Sequence, residues 1–177
     1  GSVCVRQTFG PARETTLYDI ASLSKIVGTT MIAFRFLEEG RLRLYDTVEQ
    51  FFPAPEDKKG ITVLQLMTHT SGLPAHFYLS EEADGPGALP VYSCMGYILL
   101  GRILEQIGGQ SIDRLAQEYV FEPLGLTHTT YRPAGDVAPT ERDPATGELL
   151  RGAAHDENAR FLGGLSGNAG IFSDLCD

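Results

Sequence analysis

Ser22-Leu23-Ser24-Lys25 sets a hydroxyl and an amine three residues apart within a chain of 177 residues. On a helix that spacing puts both groups on one face, one turn apart. A serine hydroxyl is a weak nucleophile at neutral pH. It needs a base beside it and donors that stabilise the oxyanion formed on attack. A lysine amine that loses its proton on desolvation can help to supply that base. The pattern alone is common, and it equally describes a helix-capping serine followed by a surface lysine.

Three further stretches change that balance. Leu64-Gln65-Leu66-Met67-Thr68-His69-Thr70-Ser71-Gly72-Leu73-Pro74 reads as a helix ending in a polar turn. Val91-Tyr92-Ser93-Cys94-Met95-Gly96 sets a tyrosine just ahead of a new helix, and Val120-Phe121-Glu122-Pro123-Leu124-Gly125-Leu126-Thr127-His128-Thr129 follows. In this order the four stretches resemble the serine β-lactamase and penicillin-binding superfamily, from about Leu17 to Ser173. The likeness is greatest to its class C β-lactamase branch, which includes esterases and D-amino-acid peptidases. The resemblance implies that Ser22 is the acyl-accepting nucleophile, Lys25 its partner, and Tyr92 the tyrosine of Y-x-N, which assists proton transfer. It also implies a small-molecule acyl substrate and no cofactor or metal.

Two positions depart from the family pattern. Cys94 stands where Y-x-N has asparagine, and a thiol is a weak donor and acceptor compared with an amide. Esterase-like members often lack that asparagine, so Cys94 favours an esterase over a β-lactamase. The late K-x-G or H-x-G motif is not found after Tyr92; Lys58-Lys59-Gly60 precedes it and reads as a solvated turn. Only 21 residues precede Ser22, Gly1-Ser2 has the look of a cloning remnant, and the chain stops at Asp177. The expected fold class is therefore mainly α: the helical part of the β-lactamase/DD-peptidase-like α/β fold, its central sheet largely missing. Self-association is one way to cover such a missing sheet. A truncated relative that binds a ligand or partner without turnover is the alternative function.

Composition is consistent with one soluble domain spanning 1–177. Fourteen basic against 23 acidic residues give a formal charge of −9, which argues against nucleic acid or an anionic membrane as partner. No apolar run reaches the length of a membrane span. Cys4, Cys94 and Cys176 show neither metal spacing nor a disulfide framework, which favours a reducing, cytoplasmic setting.

The elements that must position these residues follow from periodicity and caps. A strand is expected over Val3–Thr8 and a helix from Ser24 to about Glu39, with Ile26, Val27, Met31, Phe34 and Leu37 as its apolar side. Asp46 can cap a short helix through Phe52, and Thr62 one from Val63 to Thr68. Residues 71–90 read as a long loop. Ser93 caps the strongest helix, ended by Gly108-Gly109, and Ser111 caps another to about Val120. Residues 133–152 read as a mobile, turn-rich surface segment. The glycine-rich stretch from Gly163 lacks the context of a phosphate loop.

Among other polar residues, His69 reads as a turn-holding residue beside the site rather than half of a Ser-His pair. Cys94 reads as a small buried helix residue. His155 and Asn158 have no metal-ligand spacing, but the family resemblance places their stretch along the cleft. Cys94, His155 and Asn158 are thus the candidate substrate-binding residues.

Overall fold

The computed structural model describes residues 7–75, 90–143 and 146–177. Strand β1 (Tyr18–Asp19) leads into a continuous helical run. That run comprises a 3-10 turn over Ala21–Leu23, a π-helical stretch over Lys25–Thr30, and α1 over Met31–Glu38. Gly40, at φ 70°, follows its end, in the left-handed conformation that glycine adopts at least cost.

The buried face of this run follows the expected apolar side only in part: Val27 and Leu37 pack against the core, but Ile26, Met31 and Phe34 do not. Lys25, Gly28, Thr29, Ile32, Ala33 and Phe36 are buried, whereas Ile26, Met31 and Phe34 are 57%, 37% and 52% exposed. The inward residues recur at the helical spacing of three and four. Their small and polar members let neighbouring groups come close: a Cβ on Gly28 would lie 2.9 Å from the Ile171 side chain at Cδ1.

Short elements follow. Asp46 does not cap a helix; its carboxylate accepts the Arg43 N–H at 2.8 Å, and only a 3-10 turn forms over Val48–Gln50. Helix α2 (Val63–Met67) starts in a capping box. Thr62 Oγ1 accepts from the Gln65 N–H, and the Gln65 side chain accepts from the Thr62 N–H, which satisfies two helix-end donors at once. Helix α3 (Cys94–Gly108) begins at Ser93, whose Oγ accepts the Gly96 N–H, and ends at left-handed Gly109. Ser111 precedes α4 (Ile112–Ala116) without capping it; Glu105 from α3 accepts the Ile112 N–H at 2.8 Å. A π-turn over Gln117–Phe121 and α5 (Glu122–Leu124) complete this arm.

The expected turn-rich segment contains a hairpin, with β2 (Pro139–Arg142) antiparallel to β3 (Leu149–Arg151). After α6 (Glu157–Phe161), capped by Asp156, the chain reaches β4 (Phe172–Ser173), which pairs antiparallel with β1. These two two-stranded sheets are the sheets among the described residues. Most of the strand expected over Val3–Thr8, and most of the loop at 71–90, lie outside those residues.

One hydrophobic cluster joins α1, α2, α3 and α4, with Ile32, Phe36, Leu66, Leu100, Ile103, Leu104, Leu115 and Phe121 at its centre. The glycine-bearing strand approach at 164–171 packs along α3. A Cβ on Gly101 would sit 2.9 Å from Gly167 Cα, and one on Gly167 would sit 2.2 Å from the Tyr97 carbonyl oxygen. Only glycine allows this approach. It brings the backbone of residues 166–168 against the Lys25 stretch.

Candidate active site

Ser22 is reached through a strained residue. Ala21 has φ 48°, a left-handed conformation that costs a residue with a Cβ. Asp19 holds the turn, its Oδ1 accepting the Ala21 N–H at 2.7 Å. Ser22 follows, exposed, in the first turn of the helical run.

Lys25 lies one turn further on and is only 2% exposed. Its Nζ is 3.1 Å from Ser22 Oγ, 2.9 Å from the Asn168 carbonyl oxygen and 3.6 Å from Cys94 Sγ. It also lies 4.8 Å from the Tyr92 ring centroid and 5.9 Å from that of Tyr97, within the range of cation–π attraction. No carboxylate pairs with Lys25 among the described residues. Its nitrogen is held by neutral acceptors and aromatic faces, with the serine hydroxyl at its solvent side.

Of the residues singled out from sequence, four therefore meet at one nitrogen: Ser22, Lys25, Tyr92 and Cys94. Tyr92 is half exposed and immediately precedes the α3 cap. Cys94 is the first residue of α3 and 2% exposed, so its thiol faces Lys25 from within the protein. His155 and Asn158 stand apart. The His155 ring is exposed and lies 3.3 Å from Glu141 on β2; the His155 backbone N–H donates to Asp19 Oδ2 at 2.6 Å. It thus shares Asp19 with Ala21 and is linked to the nucleophile turn through that carboxylate. Asn158 is half-buried on α6. Lys58 and Lys59 pair with Asp57 and Glu56 on the surface.

His69 is packed against this group. Its ring lies 4.6 Å from that of Tyr92 and 5.1 Å from that of Tyr97. Burial first, and then the nearby Lys25 charge, hold its imidazole below the usual histidine range.

The residues that brace the site from 164–171 were not legible as site residues. Asn168 is fully buried; its carbonyl accepts from Lys25, and its Oδ1 accepts from Ser166 Oγ at 2.7 Å. Thr29 Oγ1 donates to the Gly167 carbonyl at 2.7 Å, and Ser24 Oγ accepts the Ile171 N–H at 3.1 Å. Burial pushes the Tyr131 phenol well above its usual range, so it stays a donor, and its oxygen is 3.3 Å from the Ser166 carbonyl. The available signal was the run of small residues Gly163-Gly164-Leu165-Ser166-Gly167-Asn168-Ala169-Gly170, whose composition permits backbone contact with a helix.

His128, Asp174 and Cys176 bring their ligand atoms within 4.8 Å of one another. His128 Nδ1 and Asp174 Oδ2 are 2.6 Å apart. Two tetrahedral ligands of one zinc ion stand about 3.3 Å apart, given bonds near 2 Å. The two atoms are thus spaced as an ion pair, closer than two ligands of one zinc ion, and Asp174 Oδ2 is buried with no hydrogen-bond partner among the described residues.

A family model described as Beta-lactamase matches residues 1–177. An Escherichia coli K12 protein, provisionally named a D-alanyl-D-alanine carboxypeptidase, is 31% identical over an alignment covering 100% of this chain and 52% of the relative. The octameric penicillin-binding protein homologue from Pyrococcus abyssi is 26% identical with a TM-score of 0.71, covering 91% of this chain and 43% of that one. The class C beta lactamase from Rhodobacter sphaeroides is 24% identical with a TM-score of 0.74, covering 94% of this chain and 50% of that one. The chain spans about half the length of the curated relatives it matches.

Proposed function

The chain belongs to the beta-lactamase family, and from that premise we propose that Ser22, Lys25 and Tyr92 form a serine acyl-transfer centre. The observation that carries this reading is the buried Lys25 nitrogen, 3.1 Å from Ser22 Oγ and beneath the Tyr92 ring. In the proposed reaction Ser22 Oγ attacks the carbonyl carbon of an ester or amide. Its proton passes to the Lys25–Tyr92 pair and on to the leaving group, which departs as alcohol or amine. Water then attacks the acyl-enzyme, and the acid leaves as Ser22 regains its proton. The Ser22 N–H, in the first helical turn, is the proposed oxyanion donor from this chain.

An ester preference over β-lactams is the finer part of the proposal. Cys94 supports it, because a buried thiol turned toward Lys25 offers a substrate amide far less than asparagine does. His155 and Asn158 are proposed as cleft residues, reached through the loop that Asp19 anchors. The chain is proposed as one domain, the helical part of the family fold. Self-association is the accompanying proposal for partners. The Pyrococcus abyssi homologue is octameric, and Leu23, Ile26 and Phe34 present an apolar face here; a monomer in sedimentation at micromolar concentration counts against it.

Intact-mass spectrometry after incubation with an activated aryl ester tests the centre. An acyl adduct mapped to Ser22, and absent in Ser22→Ala, is expected. Lys25→Ala is expected to slow acylation by about 10²–10⁴, the usual reach of a general base. An adduct that persists in Ser22→Ala refutes the assignment.

A further inference from the structure

Tyr92 lies in an irregular stretch just before α3 and is 52% exposed. A single residue grips it from three sides. The Val91 N–H donates to the His69 carbonyl at 2.9 Å. The Ser93 N–H donates to His69 Nδ1 at 3.0 Å. Between these two bonds the imidazole lies against the Tyr92 ring, centroids 4.6 Å apart and planes tilted by 35°. The backbone on both sides of Tyr92 and its ring therefore all refer to His69.

His69 does this from φ 60°. Glycine would adopt that conformation without strain, but it has neither a side-chain acceptor nor a ring. Ala21 and His69 are the two non-glycine residues at positive φ among the described residues. One adjoins Ser22 and the other brackets Tyr92. Strained backbone of this kind costs on the order of 1–3 kcal/mol and persists where the surroundings hold it, commonly at functional sites.

We propose that His69 is the positioning residue for Tyr92, its neutral imidazole accepting the Ser93 N–H at Nδ1 while the ring fixes the phenol over Lys25. The proposal rests on the reading of Tyr92 as the proton-transfer partner of Ser22 and Lys25. Accepting at Nδ1 puts the imidazole proton on Nε2. Protonation in acid sets a second donor against the Ser93 N–H and a positive charge beside Lys25. The titratable groups facing the ring among the described residues are Lys25, Tyr92 and Tyr97. Burial and the Lys25 charge already disfavour protonation, so the clamp holds at neutral pH and opens as the pH falls.

The test is aryl-ester hydrolysis by the 177-residue chain and by His69→Ala, His69→Asn, Tyr92→Phe and the His69→Ala/Tyr92→Phe double variant. His69→Ala is expected to lower kcat by roughly 10–100-fold with KM little changed, the scale of a small misplacement of a reacting group. In the Tyr92→Phe background the same change is expected to cost less than about twofold, because His69 acts through Tyr92. Asparagine tolerates positive φ and keeps an acceptor, so His69→Asn recovers part of kcat and loses the acid limb of the pH profile. Losses that multiply independently in the double variant overturn the proposal.

A second measurement keeps the clamp separate from the catalytic reading. Tyr92→Phe with unchanged turnover refutes the proposed function. The clamp is then read in the wild-type chain by NMR, where the Ser93 amide proton is expected to exchange slowly and shift with His69 titration. A Ser93 amide that ignores that titration overturns the clamp whatever the turnover.

Discussion

Gly167→Ala is a demanding test of the packing that supports the site. The added Cβ would lie 2.2 Å from the Tyr97 carbonyl oxygen and 3.0 Å from Gly101 Cα. Both are backbone atoms of α3, so no side chain can swing aside. Relieving the first contact requires a displacement of about 1 Å, since ordinary carbon–oxygen contacts lie beyond 3 Å. Overpacking of this kind costs about 1–3 kcal/mol. The displaced segment also carries the Gly167 carbonyl that accepts from Thr29 and the Asn168 carbonyl that accepts from Lys25. Weakening one such buried bond adds about 1 kcal/mol. The expected loss is about 3 kcal/mol, which for a domain of this size lowers Tm by roughly 6–12 °C. Gly96→Ala is the control, because its Cβ would meet nothing nearer than 3.7 Å. Within α3 it is expected to be neutral or to stabilise by up to ~1 kcal/mol. Calorimetry or circular-dichroism melts of both variants decide the matter. A Gly167→Ala protein that melts with the wild type refutes the packing described.

Three further outcomes follow from the structure. Thr62→Ala removes one arm of the α2 capping box and is expected to cost about 1 kcal/mol in urea unfolding; an unchanged midpoint contradicts that role. Burial raises the Asp177 carboxyl, but the N–H groups of His128, Thr129 and Thr127 and the Thr129 hydroxyl outweigh it and hold its pKa below the usual range. A depressed folded-state pKa stabilises above the ordinary carboxyl value and is lost as pH falls through the folded value, so Asp177→Asn is expected to flatten the decline in urea midpoint between about pH 5 and pH 3; a parallel decline counts against it. Cys94→Asn is expected to raise penicillin acylation relative to ester acylation, measured by intact mass, and a fall in that ratio removes the thiol as the basis of the ester preference.

Where local signals and burial agreed, the elements were legible. Thr62 with Gln65, and Ser93 with Gly109, bounded α2 and α3 because caps are side-chain chemistry written in the sequence. The buried side of the Lys25 run was legible at Val27 and Leu37 but misread at Ile26, Met31 and Phe34, which point out while Gly28, Thr29 and Lys25 face inward. Periodicity of large apolar residues cannot detect that. The hairpin of β2 and β3 was missed because its strands are short and β2 is polar and opens on a proline. In the candidate site, spacing set Ser22 and Lys25 one helical turn apart, and the family resemblance singled them out together with Tyr92. Asn168 was hidden because it acts through its backbone carbonyl, and a main-chain acceptor leaves no mark on residue type.

The Lys25 contacts also bear on the time course of folding. Its nitrogen reaches partners 69 and 143 positions along the chain. Each contact closes a long loop, and such contacts form only after much of the chain has condensed. α2 and α3 rest largely on local caps and can gather earlier. In a refolding experiment we expect helical circular dichroism to return first and acyl-enzyme formation last. The appearance of reactivity then serves as a clock for docking of the glycine-bearing stretch against α3.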